Sequence, residues 1–170
     1  MNPIKIKAFA LALVLAIGCT ACSRQDDAEI IRARIADGAK LAEAHDIKGL
    51  LALTTAEVRA EPTDLDRRGI RAALWRTFAY YGPLKLLYPR PEIDVDKDAG
   101  RASSRFPFLI VKKEQVFPDL DALRDNPAAW LDAIGAAADL YRFSLTWALV
   151  HGTWQVSHVR LERFTGMRFD

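Results

Sequence analysis

The sequence predicts an α+β domain from two observations. Three stretches between residues 27 and 81 repeat apolar residues at helical spacing, and later stretches alternate apolar with polar residues around a tight His151-Gly152 turn. A third observation, an apolar leader that ends at a cysteine, places a short export segment ahead of that domain.

The leader comes first. Lys5 and Lys7 form a basic start, Ala8 to Ile17 is an apolar run, and Gly18 closes it. A membrane-spanning helix needs about 20 apolar residues, so this shorter run reads as a signal peptide over residues 1–18 that is removed. Leu15-Ala16-Ile17-Gly18-Cys19 resembles a bacterial lipobox, which implies that the Cys19 sulfur carries a diacylglycerol and fixes the chain to a membrane. Cys22, preceded by Thr20 and Ala21, is the alternative anchor, although Cys19 would then stand where lipoboxes usually carry Leu. The same resemblance implies sorting to the outer membrane, facing the periplasm, because no Asp directly follows Cys19. Residues 19–26 are polar and unpatterned towards their end and form a lipidated tether. These are the only two cysteines, so the domain after Ser23 has no disulfide, thiol nucleophile or thiolate metal site.

Removal of the leader takes Lys5 and Lys7 from 24 basic residues and no acid, leaving 22 against 22 acidic. A balanced chain carries no electrostatic footprint for nucleic acid, which is not expected as a partner. Arg67, Arg68, Arg71 and Arg76 cluster in one segment that reads as a solvated helix face. The remaining length suits one domain, residues 27–170.

Ala28, Ile31, Ile35, Gly38 and Ala42 mark a first helix from Asp27 to about His45, and Asp46 caps a second, shorter one through Ile47, Leu50, Leu51 and Leu53. After Glu61-Pro62-Thr63-Asp64, a third helix runs to Tyr81 with Ile70, Leu74, Phe78 and Tyr81 on one stripe, and Gly82-Pro83 stops it. Three helices are thus expected before any strand. Leu84 to Val95, interrupted by Pro89 and Pro91, reads as one edge or bulged strand, and Asp96 to Gly100 as a turn. Phe106, Phe108 and Ile110 share one face of the next strand and Leu109 and Val111 the other, with Pro107 weakening the ladder. Residues 114–140 read as an inserted segment, with Asn126-Pro127 starting a short helix through Trp130, Leu131 and Ile134. The final hairpin alternates Tyr141, Phe143, Leu145, Trp147 and Leu149, then Trp154, Val156, Val159 and Leu161. A two-residue turn at His151-Gly152 sets Leu149 opposite Trp154, Trp147 opposite Val156, Leu145 opposite His158 and Phe143 opposite Arg160.

Two segments carry a family resemblance. Ala42-Glu43-Ala44-His45-Asp46-Ile47-Lys48-Gly49-Leu50 resembles the helix-break-helix of the nuclear transport factor 2-like (SnoaL-like, cystatin-like) superfamily, and Val150 to Arg160 resembles its closing hairpin. The resemblance implies a cone, in which three N-terminal helices pack in the concave face of a strongly bent, mainly antiparallel sheet with a pocket at the open end. Isomerases, dehydratases, hydrolases and noncatalytic binding proteins share this fold, so it implies no single chemistry.

In the expected register, His158, Arg160 and Glu162 share the concave face with Phe143, Leu145 and Trp147, making them the candidate catalytic trio: His158 as general base, Arg160 holding an anionic oxygen. The alternative is a structural Arg160–Glu162 pair, and one bulged residue would turn all three outward. Tyr80, Tyr81, Tyr141, Trp147 and Trp130 are the candidate lining of an apolar pocket, whereas Trp75 and Phe78 read as core. His45 is expected exposed at the helix break and His151 at the hairpin tip. No HExxH, GxGxxG, GxSxG or Gly-Lys-Ser/Thr element occurs, so no metal or other cofactor is expected. Three functions fit: noncatalytic binding of an apolar small molecule or a protein partner, a cofactor-free isomerase, dehydratase or hydrolase using His158, or a dimeric envelope scaffold. The last would pair through Ser144, Thr146, Ser157 and Val159.

Overall fold

A computed structural model describes residues 26–112 and 138–163. The elements run α1 (Asp27–Glu43), α2 (Ile47–Ala52), β1 (Thr54–Glu61), α3 (Arg67–Tyr81), β2 (Leu84–Leu87), β3 (Glu92–Asp96), β4 (Arg101–Lys112), β5 (Ala138–Val150) and β6 (Thr153–Arg163). The sheet order is β1-β6-β5-β4-β2, and β3 joins the same edge of β4 further along. All pairings are antiparallel except β1 with β6. The result is α+β, with helices packed in the concave side of a curved, mainly antiparallel sheet.

Each helix starts on an aspartate. Asp26, Asp46 and Asp66 accept the backbone N–H of Ala28, Gly49 and Gly69, supplying partners that the first helical turn lacks. Ile31 and Ile35 of α1 meet Ala102, Phe106, Trp147, Trp154 and Val156 of the sheet in one core. Phe78 and Tyr81 of α3 meet Leu84, Phe108 and Ile110 in a second, and Tyr88 and Phe143 pack against both. The indole N–H groups are placed within this packing: Trp147 Nε1 donates to Ser104 Oγ at 3.0 Å and Trp154 Nε1 to Asp27 Oδ1 at 3.1 Å. Burying a large ring therefore costs no unpaired donor.

The structure corrects several expectations. A strand, β1, precedes α3, because Thr54 to Glu61 lies along β6 in parallel, so two helices and not three come before the first strand. Leu84 to Val95 is two strands separated by Tyr88 to Pro91, since the prolines cannot donate to a ladder. The inserted segment ends earlier than residue 140, β5 beginning at Ala138; Trp130 and the expected short helix lie outside the described residues. Trp75 is 66% exposed and is no core residue.

The most consequential correction concerns the last hairpin. Its turn is as expected: His151 and Gly152 both have positive φ, 48° and 76°, the two-residue turn whose twist matches the strands, and Leu149↔Trp154 and Trp147↔Val156 follow. Beyond Trp147 the register slips by one, so that Thr146 faces His158, Leu145 faces Val159 and Phe143 faces Leu161. Ser157 is the extra residue, its hydroxyl donating to the Thr146 carbonyl at 3.2 Å. The bulge keeps Val159 and Leu161 in phase with Trp154 and Val156, and turns His158, Arg160 and Glu162 to the opposite face. Without it the three ionisable side chains would turn to the face that packs against the helices, where a buried ion costs several kcal/mol. Val159 consequently belongs to the first core and not to an outward pairing surface.

Trp147, 2% exposed, is the test of this packing. Trp147→Ala is expected to lower unfolding stability by about 3–5 kcal/mol in urea titrations. Trp147→Phe strands the Ser104 hydroxyl at a cost of about 1–3 kcal/mol, part of which Ser104→Ala returns. An unchanged midpoint for Trp147→Ala would refute the assignment.

Candidate functional site

The polar groups brought together on the concave side come from the ends of α3, β5 and β6. Tyr81 is the last residue of α3 and lies on its buried stripe with Phe78, directly before the Gly82 cap, whose φ of 62° redirects the chain. On β5, Asp139 and Tyr141 alternate inward opposite Ile110 and Phe108, and Arg163 of β6 stands opposite Tyr141. The Tyr81 phenol donates to Asp139 Oδ2 at 2.5 Å, and its oxygen lies 3.2 Å from the Tyr141 hydroxyl. Arg163 Nη2 donates to Asp139 Oδ1 at 2.7 Å. Because the Tyr81 proton is committed to Asp139, Tyr141 is the group that donates along the phenol pair.

Aromatic packing fixes these groups. Phe108 stacks on Tyr141 with centroids 5.6 Å apart and on Phe143 at 4.4 Å. His45, with a φ of 57° at the break between α1 and α2, stacks on Phe78 at 4.6 Å. It is half-buried and not exposed as expected, and its Nε2 is buried with no hydrogen-bond partner among the described residues. Burial, reinforced by the hydrogen bonds to Asp139 and Tyr141, pushes the Tyr81 phenol well above its ordinary range. Tyr81 therefore acts as a hydrogen-bond donor and never as a base near neutral pH. Burial and then the Glu43 charge raise Tyr88 as well.

Of the residues singled out from sequence, the structure brings together Tyr81 and Tyr141. Tyr80 is 71% exposed, set edge-on against Tyr81. Trp147 is sealed in the core and lines no opening. His158, Arg160 and Glu162 do converge, but on the outer face. His158 Nε2 lies 3.3 Å from Glu61 Oε1, and Arg160 Nε lies 3.7 Å from Glu61 Oε2 and 3.2 Å from Glu162 Oε1. Arg142 and Arg105 approach the other Glu162 oxygen at 3.5 and 3.9 Å. This is a network of ion pairs against solvent, and the concave placement expected for the trio is overturned by the Ser157 bulge. A shallow groove of about 400 Å³ opens beside it between Pro89, Arg90, Arg105, Pro107 and Arg142. Asp139, Arg163 and His45 were missed as site residues. The signal for Asp139 was its two-residue spacing from Tyr141, which puts both on one strand face. Among the described residues no three His, Cys, Asp or Glu side chains could hold a metal.

Comparison with known proteins finds no matching family model and no matching curated protein. Solved structures do match. A cystatin-like-fold protein of unknown function from Nostoc punctiforme superposes with a TM-score of 0.61 at 9% identity, over 81% of this chain and 90% of that one. A nuclear transport factor 2-like protein of unknown function from Pseudomonas putida gives 0.61 at 14% identity, over 82% and 92%. A candidate dehydratase of the same family from Streptomyces avermitilis gives 0.62 at 10%, over 85% and 100%. The fold is therefore cystatin-like, of the nuclear transport factor 2 type.

The phenols set the pH response. A raised native phenol contributes stability that is fully present below the unfolded tyrosine value of about 10 and is lost as pH rises through the higher native one. Absorbance at 295 nm should thus show Tyr81 and Tyr88 lagging among the four tyrosines of the native chain. Tyr81→Phe should remove one late step; four phenols titrating together near pH 10 would refute the burial argument.

Proposed function

We propose that this chain is an envelope lipoprotein, anchored through Cys19, whose cone binds an apolar small molecule by a single polar end. The observation that carries the binding reading is the Tyr141–Tyr81–Asp139–Arg163 chain at the edge of an aromatic core. A ligand carbonyl or hydroxyl beside the phenols takes the Tyr141 proton away from its 3.2 Å contact with Tyr81, while its apolar body lies against Phe78, Phe108 and their neighbours. His45 Nε2 gives the same region a second polar atom that has no partner among the described residues. Specificity comes from the polar end, because an apolar site built to hydrogen-bond one group discriminates strongly against an analogue lacking it.

Binding is favoured over turnover by the state of the carboxylate. Both Asp139 oxygens are engaged, one by Arg163 and one by Tyr81, so neither is presented to a substrate as a base. Neighbouring folds include a candidate dehydratase, and the phenol pair could hold a developing oxyanion there, yet proton abstraction needs a base this cluster does not supply. The lipid anchor rests on the leader ending at Gly18-Cys19 and on the polar stretch that follows it. Outer-membrane placement facing the periplasm follows from the residue after Cys19 being Thr20.

Paired probes test the pocket. 2-Acetylnaphthalene and 2-ethylnaphthalene differ in a carbonyl but scarcely in shape, and tryptophan fluorescence reports their binding. The ketone should bind more tightly, and Tyr141→Phe should cut its affinity by about 5- to 140-fold, as loss of one buried hydrogen bond of about 1–3 kcal/mol requires, leaving the hydrocarbon unchanged. Equal loss for both probes would sink the recognition argument. Metabolic palmitate labelling tests the anchor: the label should disappear in Cys19→Ala and persist in Cys22→Ala, and the reverse pattern would move the anchor to Cys22.

A further inference from the structure

The outward face of α3 gathers cations around exposed aromatic side chains. Arg68, Arg71, Ala72, Trp75, Arg76, Ala79 and Tyr80 are all exposed, and at 100° per residue they fall on one half of the helix. The helix contains four arginines and neither Asp nor Glu. Arg67 turns inward, its Nη1 donating to Thr54 Oγ1 at 2.7 Å and to the Thr55 carbonyl at 3.0 Å. Most other described arginines are answered by carboxylates, Arg32 and Arg90 by Glu29, Arg59 by Asp64, Arg105, Arg142 and Arg160 by Glu162 and Arg163 by Asp139, while Arg34 and Arg101 stand singly on other elements. Among the described residues Arg68, Arg71 and Arg76 pair with none. Between them stands Trp75, an indole two-thirds exposed.

We propose that this face of α3 docks on an anionic membrane surface, Arg68, Arg71 and Arg76 meeting lipid phosphates and Trp75 entering the interface between them. Uncompensated cations flanking an exposed indole are the complement of an acidic headgroup layer: the guanidinium fork matches phosphate oxygens, and an indole is amphipathic enough to settle at headgroup depth. Each cation near an acidic bilayer contributes about a tenfold factor or less, so three give a preference of about 100-fold, too weak for permanent attachment and suited to a chain already tethered. The inference rests on the lipid-anchor reading for that tether. Six residues separate Cys19 from Asp26 and reach at most about 25 Å, which keeps the domain beside the bilayer.

The full chain, purified in its lipidated form, is reconstituted in phosphatidylethanolamine–phosphatidylglycerol vesicles and in phosphatidylcholine vesicles, with and without brominated lipid. The difference between wild type and Trp75→Phe isolates the Trp75 emission. It should be blue-shifted and quenched by bromolipid in the acidic vesicles, released by salt, and exposed to aqueous iodide in phosphatidylcholine. Arg68→Glu/Arg71→Glu/Arg76→Glu should lower the docked-to-undocked ratio by about 100-fold or more, while the lysine triple variant, which keeps the charge, should retain docking. The salt titration of wild type keeps the test valid if the glutamate variant misfolds. Flotation separates the two readings. A glutamate variant that floats with Trp75 exposed leaves the anchor standing and supports docking; one that no longer floats removes the anchor and leaves α3 as the attachment. Trp75 open to iodide in acidic vesicles, or shielded equally in phosphatidylcholine, overturns the proposal and would point to an acidic protein as the occupant.

Discussion

The constraint on which the rest of this fold depends is the phase of the apolar residues along β6. Trp154 and Val156 are two apart, as are Val159 and Leu161, but the pairs are separated by an odd step. A strand has strict period two, so no regular β6 can turn all four to one face. Four apolar side chains against three ionisable ones leave a single inexpensive solution, one unpaired residue between the pairs. The Ser157 bulge is that solution, and its small side chain finds a local acceptor in the Thr146 carbonyl. Everything beyond it inherits the new phase: Arg163 arrives opposite Tyr141 on the inner face, and Glu162 opposite Arg142 on the outer.

Two cores then share the curved sheet between them. The one under α1 is tied by Trp154 to Asp27 at the helix start, so the hairpin and the first helix hold each other in place. The one under α3 is closed by aromatic stacking of His45, Phe78, Phe108 and Tyr141 around the Tyr81 phenol. Arg67 secures the other end of α3 by bonding the start of β1, an interaction between a helix and a strand that sequence separates by a turn. Tyr81 is thereby positioned from both ends of its helix, and a buried donor so held gains from the low local dielectric what an exposed one loses to water.

The helices, the Asp46 cap and the His151-Gly152 turn were legible because each rests on a local rule: a 3.6-residue period, a side-chain acceptor ahead of it, and positive φ at a two-residue turn. Strand β1 was not legible, because Thr54 to Glu61 follows a short helix without a break and its buried positions, Thr55 and Val58, are three apart. Its partner, β6, lies about a hundred residues later, and parallel pairing at that distance leaves no local trace. The candidate site was legible only in part. Tyr81 and Tyr141 were reachable from stripe and alternation, whereas Asp139 fell inside a segment read as an insertion. The placement of His158, Arg160 and Glu162 failed on a rule that was itself correct. Unbroken alternation does not cross this hairpin, and the three-residue step from Val156 to Val159 is the trace of the bulge in the sequence.

Polar chemistry is divided between the two faces of the sheet, and the division bears on function. Outside, Glu61 and Glu162 are shared among His158 and three arginines at 3.2 to 3.9 Å, distances at which partly exposed ion pairs in a high dielectric contribute about 1 kcal/mol or less each. Such a network is tolerant of rearrangement. Inside, one carboxylate with both oxygens engaged holds one phenol, and that phenol orients a second. Removing Arg163 would leave Asp139 without its cation and loosen the donor that Tyr81 presents. The inner cluster is therefore directional: charge is neutralised at the Asp139–Arg163 end, and the Tyr141 hydroxyl is held at the other beside an aromatic wall.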